Sequence, residues 1–145
     1  MAVELYLTID LPVTELQRFL PANDAPSVGL PGVYSIILKG LEEDDPEFEF
    51  CSERFAIRPR AAVSFRVEKN EYHEDTGFLG YHSALIVVAR LLTESTADLV
   101  LRDGSTRILL YRAGGMLVLN RDVEMWFSPA ARLLNQSFTG LSITS

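Results

Sequence analysis

The stretch from Gly77 to Glu94, GFLGYHSALIVVARLLTE, constrains the fold more than any other part of the chain. At helical spacing, one face collects the large apolar residues in the i, i+3, i+4, i+7 pattern of a helix that faces a core. Leu79, Ile86 and Val87 make the back of this helix apolar too, and a helix that is apolar nearly all round is buried or covered on two sides. We therefore expect a central buried helix over about 77–94. The core-facing residues are Phe78, Tyr81, Ala84, Leu85, Val88, Leu91 and Leu92.

A second segment has to cover the back of this helix. Two short amphipathic helices, predicted near 14–20 and 128–134, are available for that purpose, and a second subunit is the alternative. We expect the cover to come from within the chain, because both short segments need a partner for their apolar faces.

Alternating apolar and polar residues predict strands on both sides of the helix. Leu5, Leu7 and Ile9 share one face of a strand over 4–10, and further strands are expected over 33–39, 62–69, 98–102, 106–112 and 116–120. Phe48 and Phe50 alternate with acids, which predicts another strand from about Glu47, extended through 55–57. The fold class is α+β: an antiparallel meander packed against the central helix, with one sheet face meeting water.

Composition narrows the class of protein. A chain of 145 residues with 48% hydrophobic and 23% charged residues fits a single domain, 1–145. Cys51 is the one cysteine, so no internal disulfide forms, and MAVELYLTID lacks the pattern of a signal peptide. We expect a cytoplasmic protein that does not bind membranes. The net charge of −7 argues against nucleic-acid binding and leaves a basic protein partner open.

Candidate catalytic and metal-ligating residues are sparse. His73 and His82, with the nearby carboxylates Glu71, Glu74 and Asp75, could supply zinc ligands, but HExxH and CxxC spacings are absent. No nucleophile elbow or phosphate-binding glycine motif occurs either. The sequence predicts no cofactor, no metal and no catalytic residue. An enzyme that uses His73 and His82, and a structural subunit that forms homo-oligomers, remain the alternatives to a binding protein.

The strongest candidate for a binding site is an acidic run in the first half of the chain. Such a run is usually a solvated segment that keeps a protein soluble. It could also form a patch that faces a basic partner, since complementary charge speeds association. Aromatic residues beside it could then anchor the contact. The candidate partner-binding residues are Glu42, Glu43, Asp44, Asp45, Glu47, Glu49, Phe48 and Trp126.

Residues 62–127 resemble a known family. The resemblance rests on Phe65-Arg-Val-Glu-Lys69, on the helix FLGYHSALIVVARLL, on Asp103-Gly104, on Arg112-Ala-Gly-Gly-Met-Leu-Val-Leu-Asn120 and on Trp126-Phe127. In this order they resemble the SitI-type immunity proteins of myxobacterial polymorphic toxin systems. The resemblance implies a cytoplasmic protein that binds and neutralises a cognate bacterial toxin by direct contact. It carries over no catalytic residue. Both a monomer and a homodimer remain open. The toxin would be basic if it is a nuclease, since it must then hold phosphate.

Overall fold

The structure, a computed structural model, describes residues 2–21, 29–68, 72–73, 77–104, 107–120 and 143–144. Its helices are α1 (Val13–Leu16), a short 3-10 helix (Gln17–Phe19), α2 (Pro46–Phe55) and α3 (Leu79–Glu94). Its strands are β1 (Ala2–Ile9), β2 (Val33–Gly40), β3 (Ala61–Glu68), β4 (Tyr72–His73), β5 (Gly77–Phe78), β6 (Leu99–Asp103), β7 (Arg107–Ala113), β8 (Met116–Leu119) and β9 (Ile143–Thr144). The helix predicted near 128–134 lies outside the described residues.

Seven of the described strands form one sheet, in the order β2-β3-β1-β6-β7-β8-β9. The first six strands pair antiparallel, and β9 runs parallel to β8. The prediction of an α+β fold with an antiparallel sheet is confirmed. A meander describes only β6, β7 and β8, because β1 lies between β3 and β6. This central place buries both faces of β1 toward its C-terminal end, so that Thr8 is as inaccessible as Leu7 and Ile9.

Helix α3 packs on one face of the sheet. Leu85, Val88 and Leu91 on the helix are fully buried, as are Leu5 and Phe65 on the strands beneath. Of the apolar face predicted from the sequence, every residue from Tyr81 onward is buried. This aliphatic layer, which we call the α3 face, holds most of the buried hydrophobic residues among those described.

The start of α3 is fastened to the turn before β2 by two glycines. Gly32 has φ +82, and a Cβ on Gly80 would lie only 2.6 Å from the carbonyl oxygen of Gly32 and from Cβ of Val67. Ser83 adds a hydrogen bond of 2.6 Å from its hydroxyl to the carbonyl of Pro31. Because no side chain fits between these backbones, the glycines set the distance between the helix and β2.

The end of α3 is fastened by a buried arginine on β7. Arg112 is 3% exposed, and its guanidinium donates to the carbonyls of Leu92, Ser95 and Ala97 at 2.6–3.0 Å. Burial lowers the pKa of Arg112 from its ordinary value. The carbonyls at the end of a helix have no partner within it, so this side chain satisfies groups that the helix leaves open.

The back of α3 departs in part from the prediction. Val87 is buried, but Ile86 remains 38% exposed. The 3-10 helix reaches only the far end of the back, where the guanidinium of Arg90 lies 5.2 Å from the ring centre of Phe19. Ile86 therefore lacks the expected cover from within the described part of the chain, and cover by a second subunit stays a prediction.

The segment after the acidic run is a helix, and the strand expected from Glu47 is wrong. Asp45 has extended backbone angles and its carboxylate accepts a hydrogen bond from the amide of Glu47 at 3.0 Å, while Pro46 takes the first helical position. The helix ends at Ala56, which has left-handed backbone angles. The preference of Asp45-Pro46 for a helix start is stronger than the strand signal from the four alternating residues after it.

Helix α2 covers the second face of the sheet, which we call the α2 face. Cys51, Ile57 and Val100 are buried in a small cluster with the partly buried rings of Phe50 and Phe55 packed against it. The expectation that one sheet face meets water is therefore wrong where α2 lies. The helix hides that part of the sheet and presents its own outer side to solvent.

Candidate partner-binding surface

The acidic run divides into residues that hold the fold together and residues that face solvent. Asp45 belongs to the first group, because it caps α2 and also lies 3.6 Å from the ammonium of Lys39 on β2. The capping bond satisfies one of the amides that a helix start leaves open. Asp45 is therefore committed to α2 and to the edge of the sheet.

Glu47 is committed as well, through a pair with Arg102 on β6. Arg102 is 6% exposed, and its guanidinium lies 5.0 Å from the ring centre of Tyr6 and 4.8 Å from that of Phe50. A buried arginine needs a carboxylate and benefits from aromatic faces. This pair joins the first turn of α2 to the centre of the sheet.

Below α2, two buried polar groups are paired with each other. The hydroxyl of Thr8 and the sulfur of Cys51 lie 3.2 Å apart. Burial raises the pKa of the Cys51 thiol, so the group stays protonated and is a poor nucleophile. Burial and the charge of Glu47 raise the pKa of Tyr6 to about 12. These groups stabilise the contact between α2 and the sheet.

The outer side of α2 carries uncompensated acids. Glu49 and Glu53 are exposed and four residues apart, so they stand together on the side of the helix that points away from Cys51. Glu42 and Asp44 are exposed in the turn before the helix. In the part of the chain that the structure describes, none of these four carboxylates has an ion-pair partner. We call them the acidic patch.

Glu43 and Phe48 lie at the border of this patch. The guanidinium of Arg58 donates to Glu43 at 2.8 Å and lies 5.6 Å from the ring centre of Phe48. All three residues line a shallow cleft of about 560 Å³. The remaining lining residues are Asp10, Leu41, Glu42, Pro59 and Arg60.

The structure thus brings Glu42, Glu43, Asp44, Glu49 and Phe48 to one surface, and it turns Asp45 and Glu47 inward. Trp126 lies outside the described residues. Among the described residues of this region, the buried thiol of Cys51 is protonated and the exposed acids are solvated. A surface of this kind can attract and contact a basic macromolecule.

Comparison with protein families gives a match over most of the chain. The profile of the SitI3-like family fits residues 4–130. The chain belongs to the SitI3-like family. The match includes the stretch 62–127 and extends through α2 and the acidic patch in the first half. Comparison with curated proteins and with solved structures gives no match.

Membership in the SitI3-like family places the chain with the SitI-type immunity proteins. It supports a protein toxin as the partner in general terms, and it favours a role other than catalysis. None of the described helices combines the length and the apolar composition that crossing a membrane requires.

The histidines do not form a recognisable centre in the described part of the chain. Burial lowers the pKa of His82, and its Nδ1 is buried without a hydrogen-bond partner there. Glu71, Glu74 and Asp75 lie outside the described residues, as does the side chain of His73. Among the residues that are described, no group of three or more His, Cys, Asp and Glu side chains is arranged to hold a metal ion.

Sequence reasoning missed the inward roles of Asp45, Glu47 and Arg102. One local signal was present, because Asp45-Pro46 followed by acids in the first turn is typical of a helix start. No local signal could identify Arg102 as the partner of Glu47, since 55 residues separate them. That contact follows from the strand order, which the sequence did not reveal.

Proposed function

We propose that this SitI3-like protein neutralises a cognate bacterial toxin by binding it directly, and that the acidic patch is part of the contact. The chain would act as a single domain in the cytoplasm, and its partner would present a basic surface. The observation that carries the proposal is the group of four exposed carboxylates at Glu42, Asp44, Glu49 and Glu53, which have no ion-pair partner among the described residues.

The arrangement of Glu49 and Glu53 supports a binding role. Like charges at i and i+4 destabilise an isolated helix by about 0.2–0.5 kcal/mol. In the described part of the chain no basic side chain pairs with either residue; Arg54 directly follows Glu53, but its guanidinium lies over the rings of Phe50 and Phe55. Two acids in this position weaken the helix slightly and strengthen attraction to a basic protein.

Fixed neighbours would give the patch a defined shape. The Glu47 pair with Arg102 holds the inner side of α2 on the sheet, and the Asp45 cap holds its first turn. The acids on the outer side then occupy set positions, which reduces the ordering cost of association. Phe48, beside the cleft, would supply apolar contact next to the charges.

The test is charge reversal on α2. The probe is the product of a neighbouring toxin-like reading frame, used as the candidate toxin. The double variant Glu49→Lys with Glu53→Lys should bind this probe at least about tenfold more slowly at low salt. It should also fail to protect cells that express this toxin. The fold should be retained, because surface substitutions usually change stability by no more than about 0.5 kcal/mol.

The matched control is the variant Glu4→Lys with Glu15→Lys, which changes the net charge equally at two exposed acids outside α2. It should retain protection and lose only a small part of the association rate. If both variants lose the same amount at both salt concentrations, net charge rather than the acidic patch steers the encounter. If the α2 variant binds and protects as the unaltered chain does, the patch has no part in the contact.

A further inference from the structure

A second feature of the surface lies next to the acidic patch, at the edge of the sheet. Strand β2 ends the sheet, and β3 is its one partner among the described strands. An edge strand presents a row of backbone amides and carbonyls that another strand can pair with. Whether such an edge is protected therefore decides what it can bind.

The protection of β2 is weak over its second half. The pairing with β3 shifts register between Val33 and Ser35, an irregularity of the kind that blunts an edge, but pairing is regular from Ile36 to Gly40. The one charged residue of the strand is Lys39, and its ammonium lies 3.6 Å from the carboxylate of Asp45. The charge that would repel a basic strand is thus already compensated.

The same strand carries two exposed hydrophobic side chains. Ile37 is 56% exposed, more than any other large hydrophobic residue among those described, and Tyr34 is 47% exposed. Ile36 and Leu38 pack against the aliphatic core, so alternation places Ile37 on the opposite side, which α2 shares. Natural sheets usually avoid an exposed hydrophobic residue such as Ile37 on an edge strand, because it favours pairing with another chain.

Charge indicates which partner fits this edge. Strand β2 runs through Gly40 and Leu41 directly into Glu42 and Asp44, two members of the acidic patch. A basic strand laid along β2 would meet these carboxylates where β2 ends. A second copy of this chain is disfavoured, because each copy carries a net charge of −7.

We propose that the toxin binds by adding a strand to the edge of β2 that no described strand pairs with, and that Ile37 and Tyr34 make apolar contacts there. This inference rests on the proposed function and specifies where the contact lies. Backbone pairing supplies affinity in such complexes, and alternate side chains supply specificity. Here the specificity comes from Ile37 on one side and from the acidic patch at the end of the strand.

Amide hydrogen exchange on the full-length chain tests the proposal without any substitution. The probe is the protein encoded by the neighbouring reading frame, made without its activity. In the complex, the outward-facing amides of β2 should exchange about tenfold or more slowly than in the free chain. Amides of β7, away from this edge, should change little.

A matched pair of variants adds the side-chain part. Ile37→Lys should weaken binding of the same probe about tenfold or more, because it places an unpaired charge at the contact. Met116→Lys changes an exposed hydrophobic residue on β8 and should leave affinity within about twofold. Melting curves should show both variants folded.

The outcomes separate the two proposals. A complex in which the β2 amides exchange as before, and which Ile37→Lys leaves intact, overturns strand addition and leaves direct toxin binding in place. Absence of any complex overturns both. Protection of β2 that appears in the chain alone and rises with concentration shows that a second copy occupies the edge, which also overturns the assignment to the toxin.

Discussion

The two faces of the sheet are built differently, although each is covered by a helix. On the α3 face, large apolar residues such as Leu85 and Phe65 are fully buried, and the polar contacts of Tyr81, Ser83 and Arg112 lie toward the ends of the helix. On the α2 face the buried cluster is small, and a charged pair, Glu47 with Arg102, crosses it. The α3 face therefore supplies most of the folding free energy, and the α2 face can vary in its outer residues at little cost.

This difference would allow the proposed binding surface and a stable fold to coexist in one chain. Apolar burial contributes roughly 25 cal/mol for each Å² removed from water, so the face with more aliphatic contact dominates stability. The residues proposed to contact a partner then need not contribute to the buried core. The acidic patch and Ile37 both lie on the α2 side, away from α3.

The largest difference between the two faces is expected in the free energy of unfolding when a packed side chain is shortened to alanine. Leu85→Ala should lower the free energy of unfolding by about 2–5 kcal/mol, because it removes a fully buried side chain and leaves a cavity. Phe55→Ala on α2 should cost about 1–2 kcal/mol, since this ring is only partly buried. Urea unfolding of both variants measures the two values. Equal losses would show that the faces contribute alike.

The next largest effect is expected at the end of α3, where Arg112 donates to backbone carbonyls. Arg112→Met keeps most of the side-chain length and removes every donor to the carbonyls of Leu92, Ser95 and Ala97. We expect a loss of about 2–4 kcal/mol, because buried carbonyls without a donor are costly. Arg90→Met, which breaks an exposed i,i+4 pair with Glu94, should cost at most about 0.5 kcal/mol. A small loss for Arg112→Met, measured in the same urea series, would show that water replaces the hydrogen bonds of the guanidinium.

Two pairs within the acidic run test the division between inward and outward acids. Glu47→Gln leaves the buried Arg102 without its carboxylate and should cost about 1–2 kcal/mol. Glu43→Gln breaks the exposed pair with Arg58 and should cost less than about 0.5 kcal/mol. Thermal unfolding of both variants in one buffer suffices for the comparison. If the order is reversed, the Arg102 pair does not hold α2 on the sheet.

Local patterns in the sequence predicted the strands and α3 because the apolar residues that recur at strand or helix spacing there are the ones that the fold buries. Leu5, Leu7 and Ile9 alternate and are buried, and the turn between β7 and β8 falls on Gly114 and Gly115, both with positive φ. The order of strands could not be predicted in this way. The position of β1 between β3 and β6 depends on contacts far apart in the chain, for which no local pattern exists.

The candidate site was predicted in part. The exposed acids follow from composition, since a run from Glu42 to Asp44 has no apolar residue to bury. A strand was predicted in place of α2 because Phe48 and Phe50 alternate with acids. That alternation is too short to outweigh the helix start at Asp45 and the burial of Cys51, so the segment is a helix. The apolar edge at Ile37 could not be recognised, because its exposure depends on β2 being the last strand.

The smallest expected effect concerns alkaline pH and the α2 face. The pKa of Tyr6 is raised from 10.0 to about 12, first by burial and then by the charge of Glu47. The folded chain holds this proton more tightly than the unfolded chain, so the resulting stability is present below pH 10 and is lost as pH rises from 10 to 12. Tyr6→Phe removes the titrating group. Its free energy of unfolding should therefore fall less steeply with pH in that range, by less than about 1.4 kcal/mol per pH unit.

Tyr81 supplies the matched residue on the α3 side. Burial, followed by the charge of Asp103, raises its pKa too, and its hydroxyl donates to Asp103 at 3.3 Å. Tyr81→Phe should also flatten the alkaline loss, but it removes that hydrogen bond and should lower stability at neutral pH as well. Tyr6 makes its ring contact with Arg102 through the aromatic face, which phenylalanine keeps. Urea unfolding at several pH values between 8 and 12 should thus give parallel alkaline slopes for the two variants and a neutral-pH loss for Tyr81→Phe alone. A neutral-pH loss of equal size at Tyr6 would mean that the tyrosine hydroxyl itself helps to hold α2 on the sheet.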